Sequence, residues 1–186
     1  MDSLDKFFAD LTPHSHKHWR QPVKVGRFTV TCSAATANKG LEAPHPDFGV
    51  YLAEMWAQDM ADAGLVTNGC RVGRIAKLNA YPAMFVRWPD MGIVKTGTMN
   101  VLVETILSKL RHGKWVDFGC AFGHGRTGTL LACLIARIEH ITAGEAIEAV
   151  HIRYCRDAVE SRSQGLLVAE YVHEYLKRKK RRTRWA

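Results

Sequence analysis

A short loop between two apolar segments limits most strongly how this chain folds. Residues 114–120 (KWVDFGC) predict a buried strand, and residues 121–126 (AFGHGR) follow it as a loop. From Thr127 onward the run TGTLLACLIARIEH is apolar nearly all round and too long for a strand, so it predicts a buried central helix. A buried strand that leads through a short loop into a buried helix is typical of a parallel sheet covered by helices.

The rest of the chain continues this alternation of strands and helices. Thr142 and Glu145 have the spacing of a capping box and predict the start of another helix. Further helices are predicted over residues 98–113 and about 163–179. Further strands are predicted over residues 28–34, 49–52, 74–78 and 84–88, the last ending before Pro89. The pattern indicates an α/β fold with a central, mostly parallel, twisted sheet flanked by helices on both faces.

Length and charge indicate one domain with a basic end. The 186 residues, 47% hydrophobic, are enough for one core, which we assign to residues 1–176, with residues 1–20 as an N-terminal extension. Of the net charge of +8, seven charges lie in residues 177–186, so the body is nearly neutral. This tail is either a solvated end or a nuclear address, or it contacts nucleic acid, an anionic membrane or an acidic protein.

The composition also excludes several classes of protein. No stretch reaches the roughly 18 apolar residues of a membrane span, and the start MDSLDKFFAD lacks the features of a secretory signal. We therefore expect a soluble intracellular protein, cytoplasmic or, through the tail, nuclear. The histidines of residues 14–18 (HSHKH) have no acidic or thiol neighbour in sequence and are interpreted as a surface segment. The five cysteines are odd in number and unpaired in spacing, which favours reduced thiols: Cys32, Cys70, Cys120, Cys133 and Cys155.

The central loop has the composition of an anion site. A helix N-terminus presents N–H groups and a partial positive charge, and the glycines at 123, 125 and 128 allow successive amides to curl around an anion. Arg126 adds a planar cation that holds two oxygens of a phosphate at once. A cysteine in these surroundings, Cys120, is expected to be ionised and nucleophilic. Loop and thiol together indicate covalent phosphoryl transfer.

The stretch CAFGHGRTGT resembles the signature loop of the cysteine-dependent tyrosine and dual-specificity phosphatases. In that family a cysteine, five residues and an arginine are followed by Ser or Thr, as in Cys120, Arg126 and Thr127. The resemblance implies that residues 120–126, here the phosphate loop, bind phosphate without a metal or cofactor. It implies that the hydroxyl of Thr127 stabilises the departing thiolate. The phosphate ligands would be Ala121, Phe122, Gly123, His124, Gly125 and Arg126.

Two further segments resemble parts of the same family. RWPDMG (residues 87–92), here the acid loop, resembles the family's mobile loop and implies Asp90 as general acid. On the residues alone, without the cysteine loop, Asp90 is interpreted as part of a Pro-Asp turn that ends a strand. RDAVESRSQ (residues 156–164) implies that Gln164 positions the hydrolytic water; otherwise Gln164 is an ordinary polar residue of a first helical turn.

One position departs from the family pattern, and the substrate stays open. Gly119 stands where the family usually has a histidine, and His124 is interpreted as a solvent-facing spacer. The Trp-Pro-Asp triplet of the acid loop favours phosphotyrosine in proteins, with phosphoserine and phosphothreonine next; a phosphoinositide or an RNA 5′-phosphate is the alternative. Other classes remain: a phosphate-binding module without turnover, a degenerate nucleotide-binding loop at residues 125–127 (GRT), or a structural protein with a buried cysteine.

Overall fold

Six strands form one mixed sheet. The computed structural model describes residues 18, 20–34, 44–53, 75–77 and 81–183. The strand order is β1-β2-β6-β3-β5-β4. The four inner strands, β2, β6, β3 and β5, run parallel, and the edge strands β1 and β4 pair antiparallel with their neighbours. The strands are β1 Gln21–Val25, β2 Phe28–Ala34, β3 Phe48–Tyr51, β4 Ile75–Lys77, β5 Pro82–Phe85 and β6 Val116–Cys120.

Four helices pack against this sheet and against one another. Helix α2 lies at their centre, and twelve of its fifteen residues are buried, as its apolar composition predicts. Thr142 accepts a hydrogen bond from the backbone of Glu145, and the Glu145 side chain accepts one in return, so the predicted capping box is confirmed. The helices are α1 Thr96–Arg111, α2 Gly125–Glu139, α3 Ala143–Arg153 and α4 Arg162–Thr183.

The two faces of the sheet differ in polarity. Cys32, Val50 and Phe118, which are neighbours across β2, β6 and β3, belong to the apolar core. On the opposite face Asp117 is buried among hydroxyl groups. Every residue of β3 and β6 is buried, and because side chains alternate along a strand, both faces are covered. The predicted α/β fold with a mostly parallel sheet is confirmed.

Two boundaries differ from the prediction. The strand predicted over residues 84–88 is found at Pro82–Phe85, because the chain leaves the ladder after the Val86 N–H bonds the Tyr51 carbonyl. Trp88 is nevertheless buried, and its indole N–H donates to the Gly92 carbonyl, 2.9 Å away, within the acid loop. The last helix runs to Thr183, so most of the basic segment continues α4. Of the cysteines, Cys133 is buried on α2, and Cys70 lies outside the described residues.

Candidate functional site

The candidate nucleophile lies at the carboxyl end of the central strand. Cys120 is the last residue of β6 and is only 2% exposed. Its sulfur accepts a hydrogen bond from the backbone N–H of Gly123, 3.3 Å away. Gly123 has a φ of 85°, a left-handed conformation that favours glycine, and this turn brings its amide back over the sulfur.

Side chains from the helices support the phosphate loop. The Tyr154 hydroxyl donates to the Gly123 carbonyl at 2.5 Å, and the Thr129 hydroxyl donates to the Gly125 carbonyl at 2.6 Å. A methyl group on Gly128 would approach the Cβ of Ala158 to 2.6 Å, so only glycine permits this contact between α2 and the segment before α4. Hydrogen bonds and close packing therefore fix the conformation of the phosphate loop.

Arg126 joins the phosphate loop to the acid loop. Its guanidinium is 6% exposed and donates to the Trp88 carbonyl at 2.9 Å. A second nitrogen of the same group lies 2.8 Å from a carboxylate oxygen of Asp90, whose side chain is 63% exposed. The structure thus brings the two residues that the sequence proposes as phosphate ligand and general acid into direct contact.

Gln164 lies beside the phosphate loop with its amide held in one orientation. Its side-chain oxygen accepts from the backbone N–H of Ser161, and the Ser161 hydroxyl accepts from the backbone N–H of Gln164, a capping box at the start of α4. The oxygen is therefore occupied, and the NH₂ group lies 2.7 Å from where a side chain on Gly125 would begin. That buried NH₂ group finds no hydrogen-bond partner within the described part of the chain.

The remaining predicted site residues divide into buried and exposed groups. Ala121 and Thr127 are buried, and the Thr127 hydroxyl has no hydrogen-bond partner among the residues that the structure describes. Phe122 is 58% exposed on the phosphate loop, and Met91 of the acid loop is exposed as well. Two apolar side chains therefore rise from the two loops that Arg126 connects.

Two interpretations of histidines are wrong. His124 is buried rather than solvent-facing, and His18 of the predicted surface segment is buried beside it, with ring centroids 4.8 Å apart. The ring of His18 also lies 4.6 Å from that of Tyr154. The two rings that pack against His18 come from distant parts of the chain, so the local sequence does not indicate its burial. Residues 14–17 lie outside the described residues.

One acidic residue at the site was missed from the sequence. The carboxylate of Glu160 accepts the Gly125 backbone N–H, and although Glu160 as a whole residue is exposed, loss of hydration at its carboxyl group raises its pKa. Its neighbour Val159 has a φ of 61°, which is unusual for a β-branched residue and holds this segment in a strained turn. The only signal in the sequence was an acid four residues before Gln164, and Glu160 lies before α4 rather than in it.

A second ionisable group lies under the site, on the opposite face of β6. Burial raises the pKa of Asp117 to about 6, although hydrogen bonds from Thr31 (2.7 Å) and Ser33 (2.9 Å) oppose the shift. Gly119, two residues further along the same face of the strand, contributes no side chain there. The strand that ends at Cys120 therefore carries a buried acid three residues before it.

The sequence relatives cover only part of the chain. No protein-family model matches it. An uncharacterised protein of Methanocaldococcus jannaschii is 41% identical over 100 residues, which are 54% of this chain and 58% of that protein. Protein tyrosine phosphatase domain-containing protein 1 of Bos taurus is 34% identical over 85 residues, 45% of this chain and 10% of that protein. The chain thus matches less than two thirds of the length of either relative.

Solved structures resemble the chain over most of its length. Tk-PTP in its active form has a TM-score of 0.61 at 19% identity, covering 83% of this chain and 98% of that one. PTPMT1 in complex with PI(5)P has a TM-score of 0.58 at 16% identity, covering 81% and 94%. The chain therefore has the fold of the tyrosine and dual-specificity phosphatases, as the resemblance implied. Within the described ranges, no helix has the length and apolar character required to cross a membrane.

Proposed function

We propose that this chain is a phosphatase that hydrolyses phosphomonoesters through a cysteinyl-phosphate intermediate. Phosphate binds the backbone N–H groups of residues 121–126 and the guanidinium of Arg126. The thiolate of Cys120 attacks phosphorus in line, and the bond from phosphorus to the ester oxygen breaks. Asp90, protonated, gives its proton to that oxygen as it leaves.

The second step returns the thiol. A water molecule positioned by Gln164 attacks phosphorus, and Asp90, now a carboxylate, takes its proton. The bond from phosphorus to sulfur breaks, inorganic phosphate forms, and the Thr127 hydroxyl donates to the departing thiolate. No step needs an oxidant, a reductant or a second substrate besides water.

The contact between Arg126 and Asp90 carries this proposal. An arginine in a phosphate loop explains anion binding, but catalysis also needs an acid within reach of the ester oxygen. The Asp90 carboxylate lies 2.8 Å from the guanidinium that would hold the phosphate. Phosphate must displace it from the arginine, and the displaced carboxyl group is then next to the ester that it protonates.

The amide of Gln164 supports the water-positioning role. Both atoms of the amide lie near Gly125, and because the oxygen caps α4, the nearer NH₂ group is the one available as a donor. A buried donor without a partner among the described residues is costly unless water or ligand satisfies it in use. Glu160 lies against the Gly125 amide at the same edge of the loop, so we assign it a positioning role for that water.

We infer that the substrate is phosphotyrosine in a protein. Phe122 of the phosphate loop and Met91 of the acid loop have exposed apolar side chains. On these two loops they would flank an aromatic leaving group. The phosphate loop holds no lysine to meet the additional phosphates of an inositol. The competing substrate is a phosphoinositide, because PTPMT1, which shares the fold, has been solved in complex with PI(5)P.

Hydrolysis of four substrates tests the chemistry and the substrate together. They are a phosphotyrosine peptide, a phosphoserine peptide, a phosphoinositide and a 5′-triphosphorylated RNA, compared by kcat/KM. We expect turnover of the phosphotyrosine peptide, none by Cys120→Ser, and full turnover by the control Cys133→Ser, whose thiol is buried in α2. Mass spectrometry of the acid-quenched protein should find phosphate on Cys120.

The outcomes separate the two levels of the proposal. If the native protein turns over the phosphoinositide fastest, the proposed mechanism stands and the proposed substrate is wrong. Equal rates for Cys120→Ser and the native protein would contradict the mechanism itself. A burst of phosphate without steady turnover would instead indicate a binding module.

A further inference from the structure

Three buried side chains with metal-binding atoms meet beneath the phosphate loop. They are His18, His124 and Cys155, and one ligand atom from each lies within 4.8 Å of the others. His18 precedes β1, His124 belongs to the phosphate loop, and Cys155 follows α3. All three are less than 10% exposed, at 7%, 8% and 7%. The cluster does not include the nucleophile Cys120, and it joins three segments that are distant in sequence.

The ring of His18 is oriented by a second shell of hydrogen bonds. Its Nδ1 lies 2.7 Å from the side-chain oxygen of Gln21. The amide nitrogen of Gln21 donates to the Tyr154 carbonyl at 2.9 Å, which identifies the atom facing His18 as the oxygen. Nδ1 therefore carries the proton, and the lone pair lies on Nε2. Metal-binding histidines are usually held this way, with the other ring nitrogen donating to an oxygen.

The thiol of Cys155 faces the same cluster. The residue is 7% exposed, and its sulfur lies within 4.8 Å of a ring nitrogen of each histidine. A cation beside the sulfur would offset the cost of burying its charge. Two imidazoles and one thiolate are ligands that Zn²⁺ prefers.

We propose that His18, His124 and Cys155 bind one Zn²⁺ ion, with water as the fourth ligand. Zinc bonds of about 2.0–2.1 Å to nitrogen and about 2.3 Å to sulfur give tetrahedral edges of roughly 3.3–3.6 Å. The ligand atoms, within 4.8 Å of one another, must therefore approach by about 1 Å, which small side-chain rotations provide. On binding, the thiol proton passes to solvent, and the ion with its thiolate leaves one positive charge in excess.

The bound ion would tie the chain together at the phosphate loop. His124 is the residue before α2, and Cys155 lies in the connection from α3 to α4. Zinc would lock both to the segment that carries His18. His18 has no thiol neighbour in sequence, because Cys155 lies close to it only in the fold.

Cobalt(II) binding to the full-length Cys120→Ser variant tests the site without interference from the catalytic thiol. Tetrahedral cobalt bound to a thiolate has intense visible bands and a sulfur-to-cobalt charge-transfer band in the near ultraviolet. We expect one ion per chain, displaced by Zn²⁺, with the charge-transfer band present. Adding Cys155→Ser should remove the band, and His18→Gln should weaken binding by at least about 100-fold, more than the 10- to 100-fold typical of second-shell losses.

Matched control variants and a second measurement distinguish loss of the metal site from a general effect of the substitutions. Cys133→Ser removes another buried thiol and His173→Gln an exposed histidine, so both should leave cobalt binding unchanged. Should Cys155→Ser fail to fold, the Cys120→Ser protein still decides: in urea near the unfolding midpoint, where this buried thiol becomes accessible, bound Zn²⁺ should slow alkylation of Cys155, as mapped by mass spectrometry. A charge-transfer band that survives loss of Cys155, or unchanged alkylation of Cys155 with zinc present, would overturn the proposal.

Discussion

The phosphate loop and the acid loop meet at Arg126, yet they are held in different ways. The phosphate loop connects β6 to α2 and is buried except at Phe122, and the Tyr154 hydroxyl donates to its Gly123 carbonyl. The acid loop is anchored by the buried indole of Trp88, but beyond it Asp90 and Met91 are exposed. One loop is part of the core, and the other rests on its surface.

This difference matches two chemical requirements. Stabilising a developing charge needs donors that do not move, because reorganisation costs free energy during the reaction. A general acid must instead allow substrate to enter and product to leave, which an exposed loop permits. Changes in the phosphate loop should therefore affect folding and activity together, and changes at Asp90 should affect activity alone.

The largest expected effect is on catalysis by the acid loop. Asp90→Asn should lower kcat for an aryl phosphate with a poor leaving group by about 10²- to 10⁴-fold, because the leaving oxygen is no longer protonated. The melting temperature should stay within about 1 °C of the native value, because Asp90 is 63% exposed and the asparagine oxygen still accepts a hydrogen bond from Arg126. The matched control is Asp47→Asn, an exposed aspartate paired with Lys114, which should keep full activity. A large fall in melting temperature for Asp90→Asn would make the acid loop structural.

The next effect concerns the acid buried under the phosphate loop. The pKa of Asp117 is about 6 in the folded protein against 3.8 normally, so the folded state binds its proton more tightly and unfolding free energy falls as pH rises from about 4 to 6. The shift corresponds to about 3 kcal/mol. This decrease should be absent from Asp117→Asn. The unfolding free energy of the variant minus that of the native protein should therefore increase by about 3 kcal/mol from pH 4 to 7.

Urea unfolding at several pH values measures that difference directly. Subtracting the native curve from the Asp117→Asn curve removes the contributions of the other titrating groups, which are common to both proteins. A difference that does not change with pH would mean that Asp117 stays ionised in the folded protein.

A smaller effect is expected where α2 packs closely under the phosphate loop. Gly128→Ala places a methyl group 2.6 Å from the Ala158 Cβ and should cost about 1–3 kcal/mol of unfolding free energy. Activity should fall with it, because the same contact positions the segment with Glu160. The control is Gly97→Ala in α1, where a methyl group meets no described atom within 4 Å; it should stabilise by roughly 0.5–1 kcal/mol. Equal melting temperatures for the two variants would contradict the close packing.

The smallest effect concerns a single hydrogen bond to the phosphate loop. Tyr154→Phe leaves the Gly123 carbonyl without its hydroxyl donor and should cost about 1 kcal/mol in urea unfolding. The KM for an aryl phosphate should rise because the loop is held less firmly. Tyr175→Phe, which removes an exposed hydroxyl bonded to His140, is the matched control and should change neither value. A Tyr154→Phe protein with native stability would mean that the phosphate loop does not depend on this bond.

Some features of the site were predictable because they depend on neighbours in sequence. The apolar run of α2, the strand before Cys120 and the capping box of Thr142 each follow from local spacing. The phosphate loop was predictable for the same reason, because the spacing from Cys120 to Arg126 is a local feature of the sequence. The end of β5 was misplaced because the apolar pattern of residues 84–88 reports burial, and Trp88 is buried without pairing in the sheet.

Other features depend on contacts that no local pattern contains. The burial of His18 and His124 follows from the packing of the segment before β1 against the phosphate loop. Glu160 reaches the Gly125 amide only because a strained turn at Val159 directs it there. In each case the partner is remote in sequence, so the residue type alone allowed both a surface and a buried interpretation.

By itself the sequence determined a strand, a glycine-containing loop and a buried helix, with a thiol and a guanidinium at a set spacing, because backbone geometry and hydrophobic periodicity act over a few residues. Only the tertiary structure decided which acid meets Arg126, which amide faces the loop and which thiol joins the histidines. Those contacts exist because the order of strands in the sheet and the packing of its helices bring distant segments together.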